Sequence, residues 1–600
     1  MKKEQKHKQT FFSIVSNNLF VLNIVWKISK SRFFLKFFMT IISSIIPTLN
    51  ILITRYIIAL VESNSIKDKT NFRQVFGVLI LLMCLQIIPK IFSVWNSTLI
   101  EPILASKVNQ YMNELFIDKA KSFDYINFEN PVFYDKYTRA LGQVESLPHT
   151  VFNTFFNLFA SIISMTSLIV LIISMDWIII LFAIFGVCAS FAQSMIMAKL
   201  NYSTNIVLTP ISRRQNYIKR ILYIPDYAKD IKCSDVILTG KKYYIQSLKE
   251  MIRVLKQYGM KVAIINTGIT ILSFISSATM MILLLERVWI GIYMISDFTA
   301  LTSSVTQLEN VLNQFLTTIT GLYSNSMYIE DLKFVYNYKN KSQENKKYRA
   351  FDLSKPCKIE VRNLYFRYPN ANEYALYNIS FTIMPGEKVS IVGLNGSGKT
   401  TLIKLLLRFY EPEQGEIFIN DINIKEYNKE DLQKNIGVVF QDHHVYAYTT
   451  KENIAFEEKI IENTYDVLGR LGMYKKIQAF PDGFNTYLSK EFYETGLYLS
   501  GGELQKICIA RALNKPSGLY IFDEPSSALD IMSENNMNEV MMNSSHKTMI
   551  FISHRLSTVV MADKILVLQN GKLEECGNHS ELIQKDGIYS ELYRHQMKQY

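Results

Sequence analysis

Cysteine is sparse in this 600-residue chain. Its six cysteines (Cys84, Cys188, Cys233, Cys357, Cys508 and Cys576) are scattered, with no CxxC pair. That spacing excludes a disulfide or zinc framework and fits a reducing compartment. Charge is scarce as well: 20% of residues are charged, against 49% hydrophobic and 13% aromatic. Such a balance suits a membrane part joined to a soluble part. There is no internal repeat. No cleavable signal peptide is expected, because the first apolar run begins after about 30 residues and is too long for an h-region. The net charge of +12 raises nucleic acid as a partner. Its distribution instead follows the positive-inside pattern of a membrane protein, and no nucleic acid is expected. The length exceeds one domain, so two or more are predicted.

Residues 1–32 are polar and basic, with Leu19, Phe20, Val21, Ile24 and Val25 interleaved among polar positions. They read as an amphipathic helix lying on the inner membrane face. Six long apolar segments follow, at about 37–61, 75–98, 148–173, 176–199, 260–285 and 295–322; a span needs ~20 apolar residues. The sixth is the most polar, carrying Asp297, Glu309 and a run of Ser, Thr, Asn and Gln. The gaps alternate between short and long. The fourth, about 200–259, is dense in Arg and Lys, from Arg213 and Arg214 to Arg253 and Lys256. The long gaps are therefore expected in the cytosol together with both termini, as membrane helices extending beyond the bilayer. Short crosswise helices are expected at Glu129 to Thr138 and Tyr227 to Ser234. The expected domains are 1–32, a six-helix transmembrane domain at 33–336, a polar linker at 337–356, and a soluble domain at 357–600. In that last domain short β-type runs alternate with helical ones, the pattern of an α/β fold with a mainly parallel sheet.

The soluble domain carries the chemistry. Gly393, Leu394, Asn395, Gly396, Ser397, Gly398, Lys399 and Thr400 fit the P-loop pattern G-x-x-x-x-G-K-[ST]. A β-branched run, Lys388 to Val392, precedes it, and Leu402, Ile403, Leu405 and Leu406 follow at helical spacing. Strand, glycine loop and helix is the context that lets backbone N–H groups and a helix N-terminus close round a phosphate. Lys399 would reach the β- and γ-phosphates of ATP, and Thr400 would hold Mg²⁺. Leu519 to Asp523 is an apolar strand ending in a carboxylate that would orient Mg²⁺ beside Thr400. Glu524 is the candidate general base for an attacking water.

Further motifs make the resemblance specific. Leu499 to Glu503 (LSGGE), Tyr368 in FRYP, Gln441, Ser527-Ala528-Leu529-Asp530 and His554 occur in the order found in ATP-binding cassette (ABC) ATPases. The chain from 357 to 600 resembles that family, and the spans before it resemble the type IV exporter half. The resemblance implies the following roles. Tyr368 stacks on adenine, and Thr401 joins the P-loop in binding nucleotide. Ser500, Gly501 and Gly502 face the nucleotide of the other subunit, and Asp530 belongs to the nucleotide-binding set. Gln441 links Mg²⁺ and the attacking water to the membrane half, and His554 contacts the γ-phosphate. Glu503 departs from the pattern, where Gln is usual, and a modest effect is expected. One nucleotide domain per chain implies a dimer, most simply a homodimer, in the lipid bilayer of the cytoplasmic membrane.

The runs VFQD (Val439 to Asp442) and SKEFYETGLYLSGGELQK (Ser489 to Lys506), with the short basic N-terminus, resemble exporters of nisin-like lantibiotic peptides. No Cys precedes Cys84, so the leader-cleaving peptidase domain of other bacteriocin exporters is not expected. The resemblance implies a leader-bearing precursor peptide as substrate, with room for maturation enzymes to dock. Exporters of lipids or lipophilic drugs share the ATPase motifs and remain the alternative, with a gating or sensing membrane ATPase behind them. Arg55, Lys90, Asp297 and Glu309 are candidates for polar contacts in the membrane cavity.

Overall fold

The computed structural model describes residues 10–62, 69–224, 227–338, 348–349, 355–369, 371–456, 459–543 and 547–597. Most of the expected linker at 337–356, the basic Lys2 to Lys8 and the centre of the first short gap lie outside them. The chain divides into two units. One comprises 1–122 and 131–338, the other 123–130 and 339–600.

The first unit is helical. Its helices are α1 (Phe11–Ile28), α2 (Lys30–Glu62), α3 (Lys69–Trp95), α4 (Glu101–Lys121), α6 (Pro131–Gln143), α7 (Ser146–Met175), α8 (Ile179–Tyr223), α9 (Ala228–Cys233), α10 (Val236–Trp289) and α11 (Ile295–Tyr336). Between α4 and α6 the chain forms α5 (Tyr125–Glu129), which belongs to the second unit. A π-turn, Asn96–Ile100, joins α3 to α4 just ahead of Pro102, whose ring cannot accept an ordinary helical turn before it. At 1.5 Å per residue, the 54-residue α10 is ~80 Å long and the 45-residue α8 ~70 Å. Both far exceed a bilayer's ~30 Å apolar core, so the basic segment around 200–259 is largely continuous helix with α9 at its turn.

Among the described residues, five helical stretches are long and apolar enough to cross a membrane: Phe11–Ile28, Lys30–Glu62, Arg73–Lys121, Ser146–Met175 and Val236–Trp289. Two differences from the sequence reading stand out. The N-terminal helix is apolar enough to count, and it does not lie apart. Val21, Leu22, Ile24 and Val25 are buried, Asn17 Nδ2 donates to Ser326 Oγ at 2.9 Å, and Lys333 Nζ donates to Asn17 Oδ1 at 2.8 Å. Secondly, α8 and α11, which carry the fourth and sixth apolar runs, are not in that set, and α11 carries the more polar run of the two. Its polar side chains are tolerated because protein surrounds it: Ala300, Leu301, Val305, Leu308, Val311, Leu312 and Leu316 are buried, packed chiefly against α7 and α2. Conversely, Ile87, Ile88, Ile91 and Trp95 of α3 and Phe274, Ile275 and Ile282 of α10 are exposed, as surfaces that face lipid or another chain are.

The second unit holds two sheets. One is antiparallel, in the order β2-β1-β4-β5, from β1 (Ile359–Phe366), β2 (Leu376–Ile383), β4 (Gln414–Ile419) and β5 (Ile422–Asn423). The other runs β10-β9-β3-β8-β7-β6, from β3 (Lys388–Val392), β6 (Gly437–Val439), β7 (Leu519–Asp523), β8 (Thr548–Ile552), β9 (Lys564–Gln569) and β10 (Lys572–Gly577). Its five strands other than β10 are parallel. Every residue of β7 and β8 is buried, as continuous apolar runs require in a sheet covered on both faces. The register pairs Val439 with Phe522, Asp523 with Ile552, and Ile391 with Ile552. The chain segments that follow β3, β6, β7 and β8 therefore emerge together at one carboxyl edge, where open α/β sheets bind ligands.

Candidate nucleotide site

Four loops meet at that edge. After β3, Gly393–Gly398 turns into α12 (Lys399–Leu406). Gly398 has φ +103°, and an added Cβ would sit 2.6 Å from Leu376 Cδ2 and 2.9 Å from Ala375 O. Lys399 is buried and donates to Gly393 O at 2.8 Å and Leu394 O at 3.0 Å, folding over its own loop. Burial pulls its ammonium below the usual range, against the pull of Glu524 and Asp523. Ser397 Oγ is buried in the cradle without a partner among the described residues. A phosphate group here would give Ser397 Oγ an acceptor and Lys399 a stronger one.

The carboxylates come from β7. Asp523 is 3% exposed. Burial and the adjoining Glu524 push its carboxyl up to about 6, while the Thr400 hydroxyl and Lys399 act in the opposite direction. A buried carboxylate this poorly compensated, hydrogen-bonded to a threonine hydroxyl, is a hard-oxygen pair suited to Mg²⁺. The Gln441 amide oxygen would complete the set.

Glu524 adopts φ +50°, an uncommon conformation for a non-glycine residue and one that concentrates at functional sites. Its N–H donates to Ile552 O at 3.0 Å, pinning the turn to β8. Gln441 Nε2 donates to Glu524 Oε2 at 3.0 Å, and His554 Nε2 lies 3.1 Å from Glu524 Oε1. Two sequence-predicted residues, Gln441 and His554, thus converge from two loops on the carboxylate that a third loop carries. Burial and the nearby Lys399 hold the His554 imidazole below its usual range, so it is neutral at pH 7 and donates to Glu524 as a hydrogen bond rather than an ion pair. A carboxylate held between two donors beside a phosphate cradle can accept a proton from a water aimed at a bound phosphate.

Tyr368, two residues beyond β1, lies half-buried with its hydroxyl 3.0 Å from Thr401 Oγ1. Ser500 and Gly501 are exposed and open the helix Gly501–Leu513. No described hydrogen bond joins Ser500, Gly501 or Gly502 to the P-loop. Glu503, the departure from the family pattern, acts locally. Its carboxylate accepts the Ser500 N–H at 2.9 Å and pairs with Lys476, closing the helix N-terminus as a capping residue does. Asp530 likewise accepts the Ser533 N–H at 3.3 Å.

Two groups of residues escaped the sequence reading. Gln505 is buried in the signature helix. It donates to Glu524 O at 3.2 Å and Ser527 Oγ at 3.3 Å and accepts from Ala528 N at 3.1 Å, tying that helix to the turn that carries Glu524. The available signal was one glutamine in an apolar helical stripe. The second group is α5. Helix α5 is Tyr125–Glu129, while most of the expected Glu129 to Thr138 falls in α6, because Pro131 at the first position of α6 ends one helix and starts the next. It docks within the second unit: Lys429 Nζ reaches Asp124 Oδ1 at 2.5 Å, and the Tyr125 ring stacks on Phe409 at 4.8 Å. Phe409 stacks on Phe440 at 6.0 Å, next to Gln441. The short helix Ala228–Cys233 falls inside the expected Tyr227 to Ser234, and its residues are almost all exposed.

Comparison with known proteins decides the family. Residues 376–527 match the family model described as ABC transporter. The subtilin transport ATP-binding protein SpaT of Bacillus subtilis is 30% identical over 498 residues, 80% of this chain and 79% of that one. This chain belongs to the ABC transporters. The ATP-dependent lipid A-core flippase of Wigglesworthia glossinidia brevipalpis is 32% identical over 372 residues, covering 60% of this transporter and 63% of the flippase. The mitochondrial iron-sulfur clusters transporter ATM1 of Gibberella zeae is 34% identical over 337 residues, covering 55% and 47%. In fold, the transporter superposes on a bacterial Atm1-family ABC exporter with ATP bound at a TM-score of 0.77 and 21% identity, over 94% of this chain and 98% of that one. The fold is that of an exporter, a helical transmembrane region followed by a nucleotide-binding cassette. The protein is an ATP-hydrolysing ABC transporter of the membrane.

Proposed function

We propose that this exporter moves a peptide out of the cell, a leader-bearing modified precursor of the lantibiotic kind, as a homodimer in the cytoplasmic membrane. The observation that carries the substrate class is the match to the subtilin transporter across four-fifths of the chain. The proposed domains are the N-terminal segment 1–32, the six-helix membrane domain 33–336, the linker 337–356 and the cassette 357–600.

In the cassette, Gly393 to Thr401 bind the phosphates and Tyr368 stacks on adenine. Thr400, Asp523 and Gln441 would hold Mg²⁺, which when bound offsets charge on the β- and γ-phosphates. Glu524 accepts the proton of the attacking water. His554, neutral, holds the Glu524 carboxylate and the γ-phosphate side of the site. Ser500, Gly501 and Gly502, with Asp530, serve the nucleotide of the partner. The dimer is favoured by the exposure of that turn and of Leu394 (60%), Ile531 (68%) and Met532 (71%), apolar groups in the P-loop and just after Asp530. Each ATP bound between two cassettes closes them, and hydrolysis reopens them.

Accumulation of a leader-bearing precursor in inside-out vesicles, dependent on ATP and on Glu524, tests the reading. Deleting the gene should leave full-length, uncleaved precursor inside the cell. Intact peptide export with new sensitivity to lipophilic dyes would favour the second reading, export of lipids or lipophilic drugs, which the lipid A-core flippase match supports. ATP hydrolysis that drives no accumulation of either would leave a gate or sensor.

A further inference from the structure

One ammonium group in the cassette is ringed by aromatic side chains. Lys404, on α12, places its Nζ 5.4 Å from the Tyr125 ring centroid, 5.8 Å from Tyr368 and 5.9 Å from Tyr410. Its charge partner is Glu129, 3.4 Å away. Tyr410 is buried, and its hydroxyl donates to the other oxygen of Glu129. The Tyr410 ring meets the Tyr368 ring edge-on at 5.4 Å and 85°. Tyr125 and Glu129 come from α5, the others from the cassette proper.

The chemistry of this cluster is directional. A lysine ammonium is attracted to the faces of aromatic rings, and here three rings and a carboxylate compete for one cation. Burial opposes the charge on Glu129, but the hydrogen bonds from Tyr410 and Tyr125 and the Lys404 ammonium outweigh it and hold the carboxyl below its ordinary range. Burial and the same carboxylate push the Tyr410 hydroxyl far above its usual range, so it stays a donor. Tyr368 has its edge against Tyr410, its hydroxyl on Thr401 and its ring near Lys404. The plane of Tyr368 is therefore set by groups that are themselves set by α5.

We infer that Lys404 is a positioning residue for the nucleotide base: caged by Tyr125, Tyr368 and Tyr410 and neutralised by Glu129, it makes the affinity of the cassette for adenine depend on the seating of α5. This rests on the reading of Tyr368 as the adenine-stacking ring. Binding free energies couple reciprocally, so adenine on Tyr368 also tightens α5. The phosphate arm is separate, since Lys399 lies over Gly393 O and Leu394 O. The second contact of α5, through Tyr125, Phe409 and Phe440 toward Gln441, bears on the hydrolytic residues, so Glu129 is the side chain to alter.

The test measures equilibrium binding of ATP and of inorganic tripolyphosphate, which has no base, to the full-length transporter in lipid nanodiscs. Glu129→Gln and Lys404→Met are each expected to weaken ATP by about three- to tenfold and to leave tripolyphosphate unchanged. Lys404→Arg, which keeps a cation able to lie on the rings, should restore most of the loss. Combined with Tyr368→Ala, Glu129→Gln should cost nothing further, because the two act as one unit. Equal weakening of ATP and tripolyphosphate, or additive losses in the double variant, would overturn the inference. So would weakened ATP binding in Tyr368→Ala beside unchanged binding in Glu129→Gln. Unchanged ATP affinity in Tyr368→Ala itself would remove the adenine reading, and the inference with it.

Discussion

Replacing Asp523 by Asn is expected to raise the stability of the nucleotide-free protein, and by more at pH 7.5 than at pH 5. The carboxyl is 3% exposed and titrates at about 6 instead of 3.8. Its pKa is raised on folding, so between those two values the folded chain holds more protons than the unfolded one. Stability then falls as pH rises through that window and stays low above it. At ~1.4 kcal/mol per unit the cost above pH 7 is about 3 kcal/mol. At pH 5 roughly half of it is already present. The asparagine has no charge to bury, so its advantage should grow by ~1.4 kcal/mol from pH 5 to 7.5. At about 2–4 °C per kcal/mol in a domain of this size, that is a further few degrees in the melting temperature of the cassette. Thermal melts of purified transporter without nucleotide or Mg²⁺ read it directly. Adding Mg²⁺ and ATP should then stabilise the parent and leave the variant behind, by mass action on the folded state. A melting advantage that is constant with pH, or that shrinks toward neutrality, would refute the reasoning.

Three further outcomes follow from the site. Glu524→Gln should bind ATP and hydrolyse it at least ~10²-fold more slowly, trapping a closed dimer; near-normal turnover in the purified variant would remove Glu524 from its role. Gln505→Leu leaves the Ala528 N–H without its acceptor and removes one of the two donors to Glu524 O, which keeps the Ser527 N–H, so a loss of about 1–3 kcal/mol in stability is expected, with slowed hydrolysis at unchanged ATP binding; denaturant melts and turnover assays check both. Cysteine pairs between Tyr227–Ser234 and the Gln441 region should crosslink between chains, and crosslinks found only within one chain would contradict a helix that serves the partner.

The cassette was legible because its chemistry is written in short contiguous motifs on a parallel sheet. Lys388 to Val392 and Leu519 to Asp523 read as strands and are strands. Alternation of short apolar runs with helices sufficed to bring Gln441, Glu524, His554 and the P-loop to one edge. Gln505 and the cage round Lys404 were not legible, since each unites residues distant in the chain: Glu129 and Tyr410 are 281 positions apart. In the membrane region, hydropathy found the helices but not their neighbours. The N-terminal helix carries the same apolar residues whether it lies on lipid or on α7 and α11, and only packing distinguishes the two. Arg55 and Asp297, read as candidates for contacts in the cavity, pair with each other at 2.6 Å. Asp297 also accepts the Met294 N–H at the start of α11, which makes the pair a tie between α2 and α11. Lys90 is exposed, and Glu309 is half-buried in α11.

The hydroxyls of α11 bear on how substrate moves. Read from sequence, the side chains from Thr299 to Thr320 either line a polar path or hold helices together. In the structure most of the threonine and serine hydroxyls do neither. Thr299, Thr302, Ser304, Thr306, Thr317, Thr318 and Thr320 donate to carbonyls three or four residues back in their own helix, at 2.7–2.9 Å apart from a second Thr302 contact at 3.1 Å. A hydroxyl satisfied in this way needs neither water nor a neighbouring helix, so the middle of α11 can shift against α2 and α7 without breaking bonds made by these groups. The ties are nearer its ends: Glu62 accepts the Ile295 and Ser296 N–H groups beside the Arg55–Asp297 pair, and Asn17 bonds Ser326 and Lys333. A helix anchored at both ends and unbonded through these hydroxyls suits alternating access. Thr306→Val and Thr317→Val are therefore expected to change neither stability nor export beyond about twofold, since only an internal bond of modest net strength is lost. Asp297→Ala should impair export by leaving Arg55 unpaired at the end of α2. Export lost in Thr306→Val with folding and ATPase intact would mean that this hydroxyl touches substrate, and that the path runs along α11 after all.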